Sequence, residues 1–181
     1  MLRIAFAGAS GTGKSTLAAF VSEHYGLPMN PVGARSVSRA MGFDSPYDVD
    51  KVGRRSEFQR RLVEEKVDWE SARDSFVTDR TTLDNLAYTM LHDVHSIDAP
   101  LLDRTIEGLR RYTHVFFCPV SSFCDVADDP SRVRDAIYHQ LYDATIRGLF
   151  LFADRRTIWL RNESLADRKG FIRAWITSEE G

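Results

Sequence analysis

Apolar positions fall into short runs and helical stripes that alternate along the chain. Leu2, Ile4 and Phe6 alternate with Arg3, Ala5 and Ala7, the period of a short strand. From Lys14 to Tyr25 the spacing becomes helical, with Leu17, Phe20 and Val21 on one face; Gly26 and Pro28 stop it. Leu27 to Val32 is a poor strand with two prolines, Gly33 to Met41 is helical, and Gly42 to Asp50 reads as a loop. The longest helical pattern runs from Val52 to Arg73, with an apolar stripe of Phe58, Leu62, Val63, Val67 and Trp69. Its other side, through Arg54, Arg55, Glu57, Arg60, Arg61, Glu64 and Glu65, is a solvated face.

Phe76 to Asp79 reads as a buried strand ending in an acid. Helices follow at Leu83 to Leu91 and Leu101 to Arg111, then a strand at Val115 to Cys118. Val120 to Ser131 has no periodicity. A long helix is expected from Arg132 to Phe152, with Ile137, Leu141, Tyr142, Leu149 and Phe152 inward. A last strand, Thr157 to Leu160, and a last helix, Leu165 to Ile176 with Ile172 and Ile176 inward, complete the pattern. Alternating strands and helices argue an α/β fold, a parallel sheet covered on both faces. No internal repeat or linker divides it, so residues 1–181 are expected to form a single domain.

The 43% hydrophobic and 28% charged content is that of a globular chain, and a net charge of −2 supplies no field for nucleic acid or membrane. No apolar stretch nears bilayer-spanning length, so no membrane partner is expected. Two cysteines, Cys118 and Cys124, are too few for a zinc site or disulfide framework; Cys118 is expected to be a buried thiol. MLRIAF runs straight into the next motif without a leader pattern, so the expectation is a cytoplasmic protein, or one made by a virus inside a host cell. Lysine occurs only at Lys14, Lys51, Lys66 and Lys169; the other cations are arginine, the better planar donor for phosphate. A GC-rich genome would give the same bias.

The strongest chemical signal is Gly8-Ala-Ser-Gly-Thr-Gly-Lys-Ser15, which fits G-x-x-x-x-G-K-[ST], between a strand and a helix. In this Walker A loop Gly8, Gly11 and Gly13 permit tight turns, and backbone amides, Ser10 and Thr12 included, point at phosphate oxygens. The helix start adds its positive dipole end. Lys14 reaches the β/γ-phosphates, Ser15 offers a hydroxyl to Mg²⁺, and Thr16 offers another to a phosphate. The expected ligands are therefore ATP and Mg²⁺.

Asp79 and Arg80 end a strand at the edge where α/β sheets bind ligands. Asp79 can hold the metal or accept a proton, and Arg80 can hold a phosphate; capping by Asp79 or Thr82 of the next helix competes. Arg35 can reach the same mouth or form a surface ion pair. Arg132 and Arg134 could close over the phosphates or lie in solvent. Phe58 and Gln59 could stack on and hydrogen-bond a base, with Phe58 as core the alternative. His92 and His95 have a helical metal spacing but no evident further ligand.

With these residues in hand, the chain resembles small P-loop kinases. The group is the AAA-like nucleotide-kinase one that includes nicotinamide-riboside kinase domains and viral deoxynucleoside monophosphate kinases. The likeness rests on GASGTGKST from Gly8, Arg35, the helix with Gln59, VTDRTTLDNLAY from Val77, and SRVRDAIYHQLYDATI from Ser131, which resembles the group's lid. It implies a P-loop NTPase fold with a parallel five-stranded sheet in the order 2-3-1-4-5. One departure is that Asn30 to Arg35 holds no glutamate where many relatives carry one. Without that base a phosphate acceptor is favoured over a hydroxyl.

The reading is ATP-dependent phosphoryl transfer to a nucleotide-like acceptor, foremost a deoxynucleoside monophosphate. Lys14, Asp79, Arg80, Arg132 and Arg134 are its catalytic candidates, Ser15 and Asp79 its metal ligands, and Arg35, Phe58, Gln59 and Arg80 its acceptor contacts. Alternatives are a nucleoside kinase, a kinase of hydroxymethyl pyrimidines in DNA, and a nucleotide-dependent switch or ATPase regulator. N-K-x-D, the guanine motif, is absent. Monomer and homodimer both remain open.

Overall fold

The computed structural model describes residues 1–120, 136–161 and 164–179. Four parallel strands, β1 (Arg3–Ala7), β2 (Phe76–Asp79), β3 (His114–Phe117) and β4 (Ile158–Trp159), lie in the spatial order β2-β1-β3-β4. The helices are α1 (Lys14–Tyr25), α2 (Ala34–Ala40), α3 (Pro46–Lys51), α4 (Arg55–Ser71), α5 (Thr82–His92), α6 (Ala99–Arg111), α7 (Ala136–Phe152) and α8 (Leu165–Glu179).

Alternation in β1 explains why both faces of the sheet are covered. Ile4 and Phe6 pack with Leu17 and Val21 of α1 and Ile172 and Ile176 of α8. Ala5 and Ala7 face the other way, toward Leu83 and Leu86 of α5, Leu109 of α6, and Tyr142 and Ile146 of α7. Small residues there let those helices approach a sheet buried on both sides. Cys118 is a fully buried free thiol, and burial pushes its pKa up to about 12.

The α/β P-loop NTPase fold and its strand order are as expected, with the outermost member reduced. Where Leu27 to Val32 is predicted as a strand, one parallel bridge joins Met29 to Val77. Asn30 N donates to Val77 O at 2.8 Å, and Val77 N donates to Pro28 O at 3.0 Å. The next amide that would face β2, Val32 N, donates instead to Asn30 Oδ1 at 2.9 Å, so the ladder goes no further.

Two further expectations change. The Gly42 to Asp50 loop gives way to α3, because Ser45 accepts from the Tyr47 amide and Pro46 occupies the first turn. In α7, Tyr142 and Leu149 are buried, but Ile137, Leu141 and Phe152 are exposed. The buried face runs instead through His139, Tyr142, Asp143, Ile146, Leu149 and Phe150. A helix apolar on two sides does not announce which side packs inward.

Candidate functional site

Parallel strands bring their carboxyl ends to one edge. The register sets Phe6 beside both Asp79 and Phe116, and Ala7 beside Phe117, so β1, β2 and β3 end together. The loop from Gly8 to Gly13 leaves β1 at this edge and enters α1. A Cβ on Gly8 would lie 2.2 Å from Cys118 O, and its φ is +132°, so glycine is required there. Gly13, at φ +88°, precedes α1 without any side-chain cap on the helix amides, the arrangement that favours an anion at a helix start.

Lys14 is 4% exposed and folds back onto its own loop. Its Nζ donates to Ala9 O at 2.5 Å and to Thr12 Oγ1 at 3.3 Å. Burial first and then the Arg80 charge lower its pKa, against the pull of Asp79 and Asp84, to about 8. Thr12 is fully buried and donates its hydroxyl to Ala9 O at 2.9 Å. Ser15 and Thr16, at the mouth, are exposed.

Ser15 Oγ donates to Asp79 Oδ2 at 2.5 Å, and Asp79 Oδ1 is buried with no hydrogen-bond partner. Burial opposes ionisation of Asp79, but Lys14 and Arg80 outweigh it and hold the carboxyl below its usual range. An ionised carboxylate with one unused oxygen beside a serine hydroxyl is a donor set that suits a hard cation such as Mg²⁺.

Arg80 is held in the left-handed region, φ +80°, and its amide donates to Phe6 O at 2.8 Å. Its guanidinium donates to Gly8 O at 3.3 Å and Ser10 Oγ at 3.2 Å, and lies 5.0 Å from the Tyr88 ring centre. Asp84 stands behind it at 3.5 Å, fully buried. One Asp84 oxygen accepts from Gly8 N at 3.1 Å and Tyr142 OH at 2.8 Å; the other accepts from the amide and hydroxyl of Thr81 at 2.8 and 2.7 Å. The cap of α5 is thus Thr81, neither Asp79 nor Thr82, and the capping pair also holds the loop. From the opposite side Arg168 donates to Thr12 O at 2.8 Å.

A cleft of about 890 Å³ leads from this loop toward α2 and α4. Arg35, in the first turn of α2, is exposed at its rim. Phe58 borders it from within the core, 2% exposed and packed with Val37, Val49 and Leu62. Gln59 is 3% exposed, and its Oε1 is buried without a hydrogen-bond partner; Asn85 Oδ1, on the facing helix α5, is in the same condition. Lys66, also lining the cleft, donates to Thr78 Oγ1 and lies 3.6 Å from Glu70. His92 meets Tyr138 OH at 2.8 Å. Arg132 and Arg134 lie outside the described residues, as does Cys124. Asp84, Asn85, Lys66 and Arg168 were missed by sequence reasoning; the one local signal was the Thr81-x-x-Asp84 capping pattern.

A family model described as an AAA domain matches residues 3–168, and the chain belongs to that family. No curated protein matches it significantly in sequence. Among solved structures, deoxyadenosine kinase from M. mycoides, with the products dCMP and dCDP bound, superposes at a TM-score of 0.67. The pair shares 15% identity over 98% of this chain and 99% of that one. Shikimate kinase from Aquifex aeolicus gives 0.62 at 18% identity, over 99% and 97%. NadR in complex with NR gives 0.65 at 15% identity, over 90% of this chain but 45% of that one. The shared property is the fold, a P-loop fold of the small-kinase kind. No helix among the described residues is long and apolar enough to cross a membrane.

Proposed function

We propose that this AAA-domain protein is an ATP-dependent phosphotransferase with a nucleotide-like acceptor, foremost a deoxynucleoside monophosphate. The reading takes residues 1–181 as one catalytic unit. It is supported by Ile172 and Ile176, which lie beyond the family match and are fully buried under the sheet.

The observation that carries the proposal is the charge of the cleft. Among the described residues lining it are the cations Lys14, Arg35, Arg55, Lys66 and Arg80 and one carboxylate, Asp79; behind the lining, Arg55, Lys66 and Arg80 also pair with Asp50, Glu70 and Asp84. Asp79 already accepts from Ser15. Such a wall suits a ligand bearing phosphates at both ends of the transfer. Among the described residues lining the cleft, the one imidazole, His92, is already engaged with Tyr138 OH at 2.8 Å, so an acceptor oxygen that is already ionised suits the wall better. The buried, unpartnered oxygens of Gln59 and Asn85 suit the amino edge of a base. The likeness to a kinase solved with dCMP and dCDP points the same way.

In this mechanism the loop amides and the α1 start bind the β- and γ-phosphates. Lys14 leaves Ala9 O and Thr12 Oγ1 to follow the charge on the transferring group. Ser15 and Asp79 would hold Mg²⁺, which when bound supplies neutralisation of phosphate charge. Arg80 and Arg35 orient the acceptor phosphate, and Arg132 or Arg134 closes from the lid. Catalysis is positioning and electrostatics, with no covalent intermediate on the protein.

The test is transfer of radiolabelled γ-phosphate from ATP to a panel of deoxynucleoside monophosphates, nucleosides, shikimate and hydroxymethylated duplex DNA. A labelled nucleoside diphosphate is the expected product. Label on a nucleoside, on shikimate or on DNA would replace the acceptor. Slow hydrolysis indifferent to every acceptor would favour a nucleotide switch.

A further inference from the structure

The buried side of α7 carries Tyr142, Ile146, Leu149 and Phe150, packed in the core with α5 and β3. The opposite side runs through Ile137, Leu141, Ala144, Gly148, Leu151 and Phe152 at helical spacing, with no charge among them. Ile137 is 71% exposed, Leu141 54%, Leu151 82% and Phe152 71%. A helix apolar all round belongs in an interior, yet this one has an interior on one side. Gly148 adds a second observation. Glycine is a poor helix former, and a Cβ at Gly148 would meet nothing within 4 Å. At Gly108 of α6, by contrast, a Cβ would come within 2.7 Å of Thr82 Cγ2, so its own fold explains that glycine. No neighbour among the described residues explains Gly148.

We propose that this face of α7 is a homodimer interface, packed antiparallel on α7 of a second copy across a two-fold axis beside Ala144 and Thr145. In that register Leu141 sits over the partner's Gly148, and Ile137 meets the partner's Phe152. Each contact occurs twice, as a two-fold requires. The small residue admits the large one and lets the two backbones approach. The flanking charges Asp143 and Arg147 pair with each other at 2.5 Å, so neither enters the contact unpaired.

The four exposed side chains together offer on the order of 500 Å², or about 1,000 Å² for the pair, the least that a specific interface buries. One copy's share is also at the upper end of what a monomer leaves exposed. A lipid surface fits less well, because membrane-lying helices carry lysine and arginine along the polar border. The lone arginine or lysine of α7 is Arg147, already paired with Asp143. The proposal does not rest on the phosphotransferase reading.

Sedimentation of the full chain at tens of micromolar should give twice the 20.6 kDa of one copy. Leu141→Glu would bury a charge and should weaken association by at least about tenfold. Gly148→Leu, which fills the gap, should do the same, with the circular dichroism of both variants unchanged. A wild-type protein that stays at one-copy mass throughout would overturn the proposal. So would a dimer that both folded variants leave intact. A monomer that floats with phosphatidylcholine–phosphatidylglycerol vesicles would overturn it in favour of a lipid surface.

Discussion

At Lys14 function and stability pull in opposite directions. The ammonium has an ordinary pKa of 10.5 and a buried value of about 8, lowered first by burial and then by Arg80. Between those values the unfolded chain binds more protons than the folded one, so stability should rise with pH across that window. Below about pH 8 the folded state carries the whole penalty, on the order of 3 kcal/mol. Lys14→Met should therefore raise the unfolding midpoint of the ligand-free protein at pH 7 by roughly 5–10 °C. It should also flatten the rise in stability between pH 8 and 10.5 and cut phosphoryl transfer by about a hundredfold or more. Thermal unfolding in a pH series, beside the γ-phosphate assay, checks both halves; a less stable variant at pH 7 would show that the bonds to Ala9 and Thr12 outweigh burial. Lys14 and Ser15 were legible in the sequence because their spacing from Gly8 is itself the mechanism. Asp84 and Arg168 were not, since they meet the loop across 76 and 156 residues of chain.

At the scale of elements, the turn from β1 into α1 is fixed by contact with the end of β3. Gly8→Ala would drive a methyl group into Cys118 O and force a β-carbon into a φ of +132°. The expected outcome is a loss of more than about 3 kcal/mol of stability together with loss of ATP binding. Chemical denaturation and equilibrium titration would measure them; binding at wild-type strength would mean the loop can re-form around the methyl. The parallel sheet was readable because short apolar runs at β1, β2 and β3 alternate with helical stripes; its strand order was legible only through the resemblance to small P-loop kinases. The outer strand was readable in place but not in length, since the Asn30 side chain takes the Val32 amide and leaves one bridge. The inward side of α7 was not readable, because only contact with α5 and the sheet chooses between its two apolar sides.

For the whole molecule, one edge of the sheet gathers the ends of β1, β2 and β3, and the helices α4 and α5 wall the cleft beyond it. This geometry makes the phosphate loop a meeting point of distant segments: Asp84 grips it from α5, and Arg168 from α8. The grip of Arg168 has a consequence at the far end of the chain. Nucleotide bound 100-fold above its dissociation constant adds about 2.7 kcal/mol to the folded state. Part of that gain should reach α8, whose guanidinium shares a carbonyl with the occupied turn. Amide hydrogen–deuterium exchange around Phe171 to Ile176 should slow when ATP is added, although no residue there lines the cleft. Arg168→Met should uncouple the two, so that ATP protects the loop while the carboxy-terminal helix goes on exchanging at its ligand-free rate.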